Sequence, residues 1–307
     1  MRELDFDTMH LFARVAELGT LSAVARERDV PVSQISRSLS RIEKACGVRL
    51  IHRTTHGLSL TAEGETFLDY CRRITGTLDE LEGEFSSKSN EVSGRVRVAV
   101  SSVIAHIQMV PSLTGLAARH PGLKIEMQVD DRLADMARDG IDVSIRTGSA
   151  LPDTVVARRI GTLARALYCT PGYAKAHPLP KHAEDLREHR LISNSAVTML
   201  NHWPFIVKGK PVTIVAEGDF RSNDTNVVAG MVLQGLGIGR LATLAAAPLL
   251  KQGLLVPVLP ACVDVRPVPI FAVTQGNRHR LPKIKACLDW WAEWFGAIDL
   301  PAPLKKK

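Results

Sequence analysis

At 307 residues, with 45% hydrophobic and 23% charged side chains, the chain exceeds one average domain, has apolar material for more than one core and lacks the composition of a disordered protein. Its formal charge of +7 favours a polyanionic partner, and five scattered cysteines without CxxC or zinc-type spacing argue against a disulfide framework or a metal cluster, so a reducing cytoplasm is the simplest home. MRELDFDTMH has no apolar signal core, and the longest apolar run, near Leu241 to Leu250, is broken by Thr243 and Pro248, so no secretory signal, membrane span or membrane partner is expected.

The spacing of Met9, Phe12, Ala13 and Ala16 predicts a first helix from Asp7 to Leu18, stopped by Gly19. Thr20 is a usable N-cap for a second helix running to Arg28. Asp29, Val30 and Pro31 then break and restart the chain within three residues, because Asp tolerates a left-handed backbone and Pro suits a helix start. In the next helix Ile35, Leu39 and Ile42 form one apolar stripe, and the opposite face carries Gln34, Ser36, Arg37, Ser38 and Arg41. This is the pattern of a helix-turn-helix whose second helix lies in a DNA major groove, where hydroxyls and amides reach base edges and Arg clasps phosphate or guanine. Any small helical bundle has such hairpins, and a polar helix face is often merely solvated. Charge favours DNA: between Arg26 and Arg53 seven basic residues face three acidic ones, a net +4 within the chain's +7.

Strands are expected at Val48 to Ile51 and Leu58 to Leu60, with Arg53 and His56 on the turn between them, a wing placed to meet the DNA backbone or minor groove. His56 reads equally well as an idle surface residue. A long helix follows from Thr61 to about Lys88. Phe67, Cys71, Ile74, Leu78, Leu81 and Phe85 alternate steps of four and three, a heptad seam that favours a homodimer; an ordinary amphipathic helix is the alternative. SSKSNEVSG, Ser86 to Gly94, is a polar hinge.

Beyond the hinge, strands alternate with helices: Arg95 to Val100 (strand), Ile104 to Arg119 (helix), Leu123 to Val129 (strand), Arg132 to Arg138 (helix) and Ile141 to Arg146 (strand). That alternation predicts a parallel sheet in an α/β unit. A second unit starts near Thr162, with helices near Pro171 to His177 and Ala183 to His189. It continues through a helix (Thr225 to Gln234), a strand (Ile238 to Leu241) and a helix (Leu244 to Gln252). Pro269 to Thr274 is strand-like, Leu281 to Phe295 is the last helix, and Lys305 to Lys307 is a basic tail.

LxxFxRVAELGTLSAVA, VPVSQISRSLSRIEKACGVRL and HRTTHGLSLTAEG, followed by GRVRVAVS, HPGLKIEM, GIDVSIRTG, TPGYAKAHPLP, SNDTNVVAGMVLQGLGIGRL and GLLVPVLP, resemble the LysR-type transcriptional regulators over nearly the whole chain. The resemblance implies a winged helix-turn-helix (residues 1–60), a linker helix and hinge (61–90) and a periplasmic-binding-protein-like effector domain of two Rossmann-like subdomains (91–161 with 268–307, and 162–267). It further implies a homodimer or homotetramer on an interrupted dyad in double-stranded DNA, RNA polymerase as a further partner, and a small-molecule effector, anionic in one version, between the subdomains. No cofactor or metal is expected. Val32, Ser33, Ser36 and Arg37 fall where members of the family touch DNA, and Arg53 and His56 fall on the wing. Val32 stands where Gln is frequent, Pro31 where a Ser or Thr cap is usual, and Arg28 where a core Leu is usual.

Ligands of paired α/β units sit at the carboxyl ends of strands. Ser101 and Ser102 follow the first strand, and their hydroxyls and nearby free N–H groups can hold an anion such as a carboxylate. Asp130 and Thr147 end the next two strands, Arg146 adds charge, and Asn223 and Thr225 open a helix that faces the same cleft if the halves pack as in the family. Each of these polar residues can instead be a helix cap. An enzyme is not expected: GLGIG at Gly235 to Gly239 follows a helix and precedes a strand, the wrong context for a dinucleotide turn, and no GxSxG, P-loop or HExxH occurs.

Overall fold

The computed structural model describes residues 4–54, 57–86, 92–132, 134–136, 139–148 and 155–298. The chain divides into two compact units, Met1–Ser89 with Ala137–Gly140, and Asn90–Met136 with Ile141–Lys307.

In the first unit, helix α1 (Phe6–Leu18) starts where the Asp5 carboxylate accepts the Thr8 N–H at 2.8 Å and stops at Gly19 in the left-handed region. Thr20 caps α2 (Leu21–Arg28) by accepting the Ala23 N–H at 3.3 Å, and Asp29, at φ 52°, closes it. Helix α3 (Val32–Cys46) restarts after Pro31, and its Ile35, Leu39 and Ile42 stripe is buried against Leu11, Phe12, Val15 and Val24. The turn is therefore the one that Asp29 and Pro31 predict.

Strands β1 (Ile51–Thr54) and β2 (Gly57–Leu60) pair antiparallel, from Ile51 opposite Leu60 to Thr54 opposite Gly57. The first strand thus begins at Ile51 and not at Val48. The reason is the Glu43 side chain: its Oε1 accepts the N–H groups of Leu50 (2.9 Å) and Ile51 (3.2 Å), so the approach to the strand is tied to α3 rather than to a ladder.

Helix α4 (Ala62–Ser86) carries the expected seam, but its first part is used within the chain. Cys71 is buried with Leu68, and Phe67 packs edge-on against Phe12 with ring centroids 4.9 Å apart. Ile74 is the first seam residue left open, at 39% exposure. Residues 87–91 of the expected hinge and His56 lie outside the described residues.

The second unit begins with β3 (Ser93–Val100), a helical run of α5 (Ser102–Ile104), a π-helical segment (Ala105–Met109) and α6 (Val110–Arg119), then β4 (Gly122–Val129), β5 (Val143–Thr147) and β6 (Val155–Leu163). The chain then passes to β7 (Arg165–Cys169), α7 (Pro171–Ala176), a 3-10 helix (Ala183–Glu188) where the sequence predicts a helix near Ala183 to His189, and β8 (Leu191–Asn194). After the hairpin of β9 (His202–Val207) and β10 (Lys210–Val215) come β11 (Phe220–Ser222), α8 (Thr225–Leu233), β12 (Ile238–Ala242), α9 (Thr243–Lys251) and β13 (Val256–Val258). The last elements are β14 (Val268–Gln275) and α10 (Pro282–Gly296).

Two five-stranded sheets result, ordered β4-β3-β5-β14-β6 and β11-β8-β12-β7-β13. Neither is wholly parallel, contrary to the expectation from alternation. In the first, β3 is parallel to β4 and β5, and β14 runs antiparallel to β5 and β6; in the second, β7 opposes both β12 and β13. These antiparallel strands arrive where the chain passes from one sheet to the other, without the helical crossover that keeps neighbours parallel. The helix expected at Arg132 to Arg138 is also absent among the described residues there. The Asp130 carboxylate accepts the Arg132 N–H at 2.8 Å, a local turn that competes with helix. Helices α6 and α10 cover the first sheet, with Leu116, Ile284, Cys287, Trp291 and Phe295 in its core.

Candidate nucleic-acid interface and ligand cleft

With its apolar stripe buried, α3 turns Val32 (43% exposed), Ser33, Gln34, Arg37 and Arg41 to solvent, with Ser36 and Ser38 half-buried beside them. Arg37 Nε donates to the Ser33 carbonyl at 3.3 Å and Ser40 Oγ to the Ser36 carbonyl at 3.1 Å, so both side chains lie along their own helix. Pro31 provides no side-chain cap, which leaves the first N–H groups of α3 without the usual hydroxyl or carboxylate acceptor. Arg26, Arg41, Lys44 and Arg49 are exposed as well. Arg28 is not part of this free charge. It pairs with Asp7 at 3.2 Å and contacts His10 Nδ1 at 3.1 Å, so this position, where the resemblance leads one to expect a core leucine, is held by polar contacts instead. Arg14, bridging Glu17 and Glu27, is a further internal ion pair that its sequence position does not announce. Arg53 sits in β1 opposite Leu58 on the wing.

In the second unit the carboxyl ends of β3, β4 and β5 converge on a cavity of about 190 Å³. Ser101, Asp130, Arg146 and Thr147 line it, and Thr225 joins them from α8. Arg146 is held in place: its Nε donates to Ser144 Oγ at 2.9 Å and its Nη2 to the Ala134 carbonyl at 3.0 Å. Burial lowers the Arg146 pKa, with Asp135 opposing. Asn223 is exposed and stands outside this lining.

Ser102 does not wait for a ligand. Its N–H donates to Asp131 Oδ1 at 3.0 Å, and its hydroxyl donates to Asp224 Oδ1 at 2.9 Å. Asp131, which sequence reasoning missed, also accepts the Thr225 N–H (2.7 Å), the Thr225 hydroxyl (3.2 Å) and Asn194 Nδ2 (3.3 Å). One carboxylate thereby joins the end of β3 to the start of α8 and the end of β8. The available signal was two adjacent acids after a strand, with only one of them needed to make the turn.

The thiols are quiet. Burial pushes Cys71 and Cys287 up to about 12 and Cys169 up to about 11, so none of the three carries an appreciable thiolate near neutral pH. Among the described residues no group of acidic, His and Cys side chains is arranged to hold a metal ion, and no helix is long and apolar enough to cross a membrane.

Residues 6–65 match the bacterial regulatory helix-turn-helix protein, lysR family, and residues 89–296 match the LysR substrate binding domain. The chain belongs to the LysR family of transcriptional regulators. Among relatives of this LysR-type regulator, an HTH-type transcriptional repressor of Pseudomonas aeruginosa is 29% identical over 94% of this chain and 91% of its own length. The HTH-type transcriptional activator AaeR of Escherichia coli is 25% identical over 94% and 93%. The full-length structure of the Vibrio cholerae virulence activator AphB superposes with a TM-score of 0.66 at 27% identity, covering 95% of this chain and all of that one. The LysR-type protein is therefore a DNA-binding transcriptional regulator with an effector-binding domain built on two α/β sheets. Relatives named repressor and activator stand at similar distance from it.

Proposed function

We propose that this LysR-type regulator grips an interrupted dyad in a promoter as a homodimer or homotetramer in the cytoplasm, and that a small molecule in the cleft of its second unit changes that grip. The observation that carries the reading is α3: its apolar stripe is buried while a hydroxyl, amide and guanidinium face stays open. On this reading Val32, Ser33, Gln34, Ser36 and Ser38 face base edges, and Arg37, Arg41 and the wing's Arg53 face phosphates, with His56 assigned to the wing from the sequence alone. Ser101, Asp130, Arg146, Thr147 and Thr225 line the effector cleft on this reading, and the buried Ser102 holds its wall rather than the ligand. RNA polymerase is the protein that such a regulator acts on, and no catalytic step belongs to it. Two copies would pair along the seam of α4 from Ile74 onward, which places two reading heads at a fixed spacing.

The test is footprinting of the purified protein on the DNA flanking its own reading frame. Two protected half-sites on one face of the duplex are expected, and no preference over bulk genomic fragments would defeat the proposal. Arg37→Ala should weaken binding to specific and scrambled duplexes alike and reduce the slope of log Kobs against log salt by about 1 for each phosphate that is no longer neutralised. An unchanged slope measured by fluorescence anisotropy would remove Arg37 from the phosphate-binding set.

A further inference from the structure

If the cleft is the ligand site, as proposed above, the chemistry of its ligand is set by where the cleft keeps charge that the protein itself leaves unmatched. The N–H groups that would ordinarily receive an anion, those of Ser102 and Thr225, are taken by Asp131. A ligand carboxylate placed there would meet another carboxylate. The unmatched charge lies next to it. Arg165 and Arg240 both line a second, smaller cavity of about 40 Å³ with Asn194, Asn201 and Trp203, and Arg165 lines the larger cavity too.

Arg240 Nε is buried with no hydrogen-bond partner, and the half-buried Arg165 side chain enters no hydrogen bond or ion pair among the described residues. The carboxylates that act on them are committed elsewhere. Asp131, facing Arg165, already accepts four donors, and Asp264, facing Arg240, is clasped by Arg266 through Nη2 at 2.6 Å and Nε at 2.9 Å. Burial lowers both arginines to about 10, and in Arg240 the neighbouring Arg165 pushes the same way. Two adjacent, half-buried cations without a carboxylate of their own, one with a fully buried unpaired Nε, repel each other and favour an anion that completes them.

We propose that Arg165 and Arg240 form the anion-recognition pocket of the effector site, which takes a compact oxyanion group, carboxylate or phosphate, while the rest of the ligand extends past Arg165 into the larger cavity. Asn194 and Asn201 lie at the same pocket, although both also bond to each other's loop: Asn201 Oδ1 accepts the Asn194 N–H at 2.8 Å. The pocket reaches Thr225 at the start of α8 but is charged by the two arginines, not by the helix-start N–H groups of Ser102 and Thr225 to which a sequence reading directs an anion.

The full chain is melted in acetate and in inorganic phosphate, each against chloride at equal ionic strength. At an anion concentration near ten times Kd, the wild type should gain about 2–4 °C, and the gain should vanish in Arg165→Gln and in Arg240→Met while Asn223→Ala keeps it. Without added anion, Arg240→Met should melt no lower than wild type, because it deletes a half-buried charge whose Nε has no partner, whereas an arginine with a purely structural role would lower the melting temperature. A gain that survives in both arginine variants, or no gain for the wild type in either anion, overturns the pocket. A gain removed by Arg146→Ala but by neither pocket variant also overturns it and leaves the cleft as the ligand site. A gain that none of the three variants removes overturns both.

Discussion

Gly64→Ala should cost the DNA-binding unit about 3 kcal/mol or more, enough to abolish tight DNA binding near 37 °C while the second unit keeps its fold. The cause is backbone against backbone. A Cβ on Gly64 would lie 2.0 Å from the Leu50 carbonyl oxygen and 2.9 Å from its carbon. That carbonyl cannot retreat freely, since it accepts the Thr61 N–H at 3.0 Å, and the Leu50 N–H is held by Glu43. Thr61 adds a further restraint, for its hydroxyl donates to the Arg49 carbonyl and accepts the Gly64 N–H. The added methyl must therefore push α4 off the approach to the wing, opening the layer of Leu50, Leu68 and Cys71. Gly230→Ala is the matched control. It lies inside α8 with nothing within 4 Å of a built Cβ, so the helix preference for Ala should stabilise it by about 0.5–1 kcal/mol. Calorimetry reads both, and a Gly64→Ala protein whose DNA-binding unit melts with the wild type would show that this approach is looser than its atoms indicate.

The parts of the fold that sequence revealed are those set by residues within about one helical turn of one another. Ile35, Leu39 and Ile42 define a stripe by spacing alone, and Gly19, Asp29 and Gly47 stop helices because each adopts φ near +50° to +75°, which most other residues resist. What stayed hidden depends on partners far along the chain. The strand start at Ile51 depends on a carboxylate eight residues back, and the directions of β7 and β14 depend on which sheet the chain returns to. The hairpin β9–β10 was legible in principle. Lys208 and Gly209 both take positive φ between two runs rich in branched and aromatic residues, although Lys-Gly is a weaker turn signal than Asn-Gly. At the cleft, Ser101, Arg146 and Thr147 could be placed from strand ends, because that rule is topological. Asp131, Arg165 and Arg240 could not: their significance lies in which neighbours bond to them, and Asp131 meets Thr225 from 94 residues away.

Asp131→Asn should destabilise the second unit by about 2–3 kcal/mol, a fall in melting temperature on the order of 5–10 °C, and should at the same time strengthen its response to small anions. The carboxylate accepts from four donors, and nothing among its described partners asks it to donate. Asn keeps one acceptor oxygen but turns an NH2 toward a backbone N–H, which cannot accept, so the Thr225 or Ser102 N–H is left unpaired even where the Thr225 hydroxyl reverses to accept. Since those bonds join the segment after β4 to the starts of α5 and α8 and to the end of β8, breaking them loosens the cleft as well as the local turn. The same substitution removes the negative charge of Asp131 that acts on Arg165, so an anion entering beside that guanidinium no longer competes with that carboxylate. A merely structural Asp131 would lower stability and leave the anion-induced shift unchanged or smaller. A less stable protein with a larger phosphate shift is the combination that only an internal counter-anion produces, and it ties the holding of the closed cleft to the affinity for what enters it.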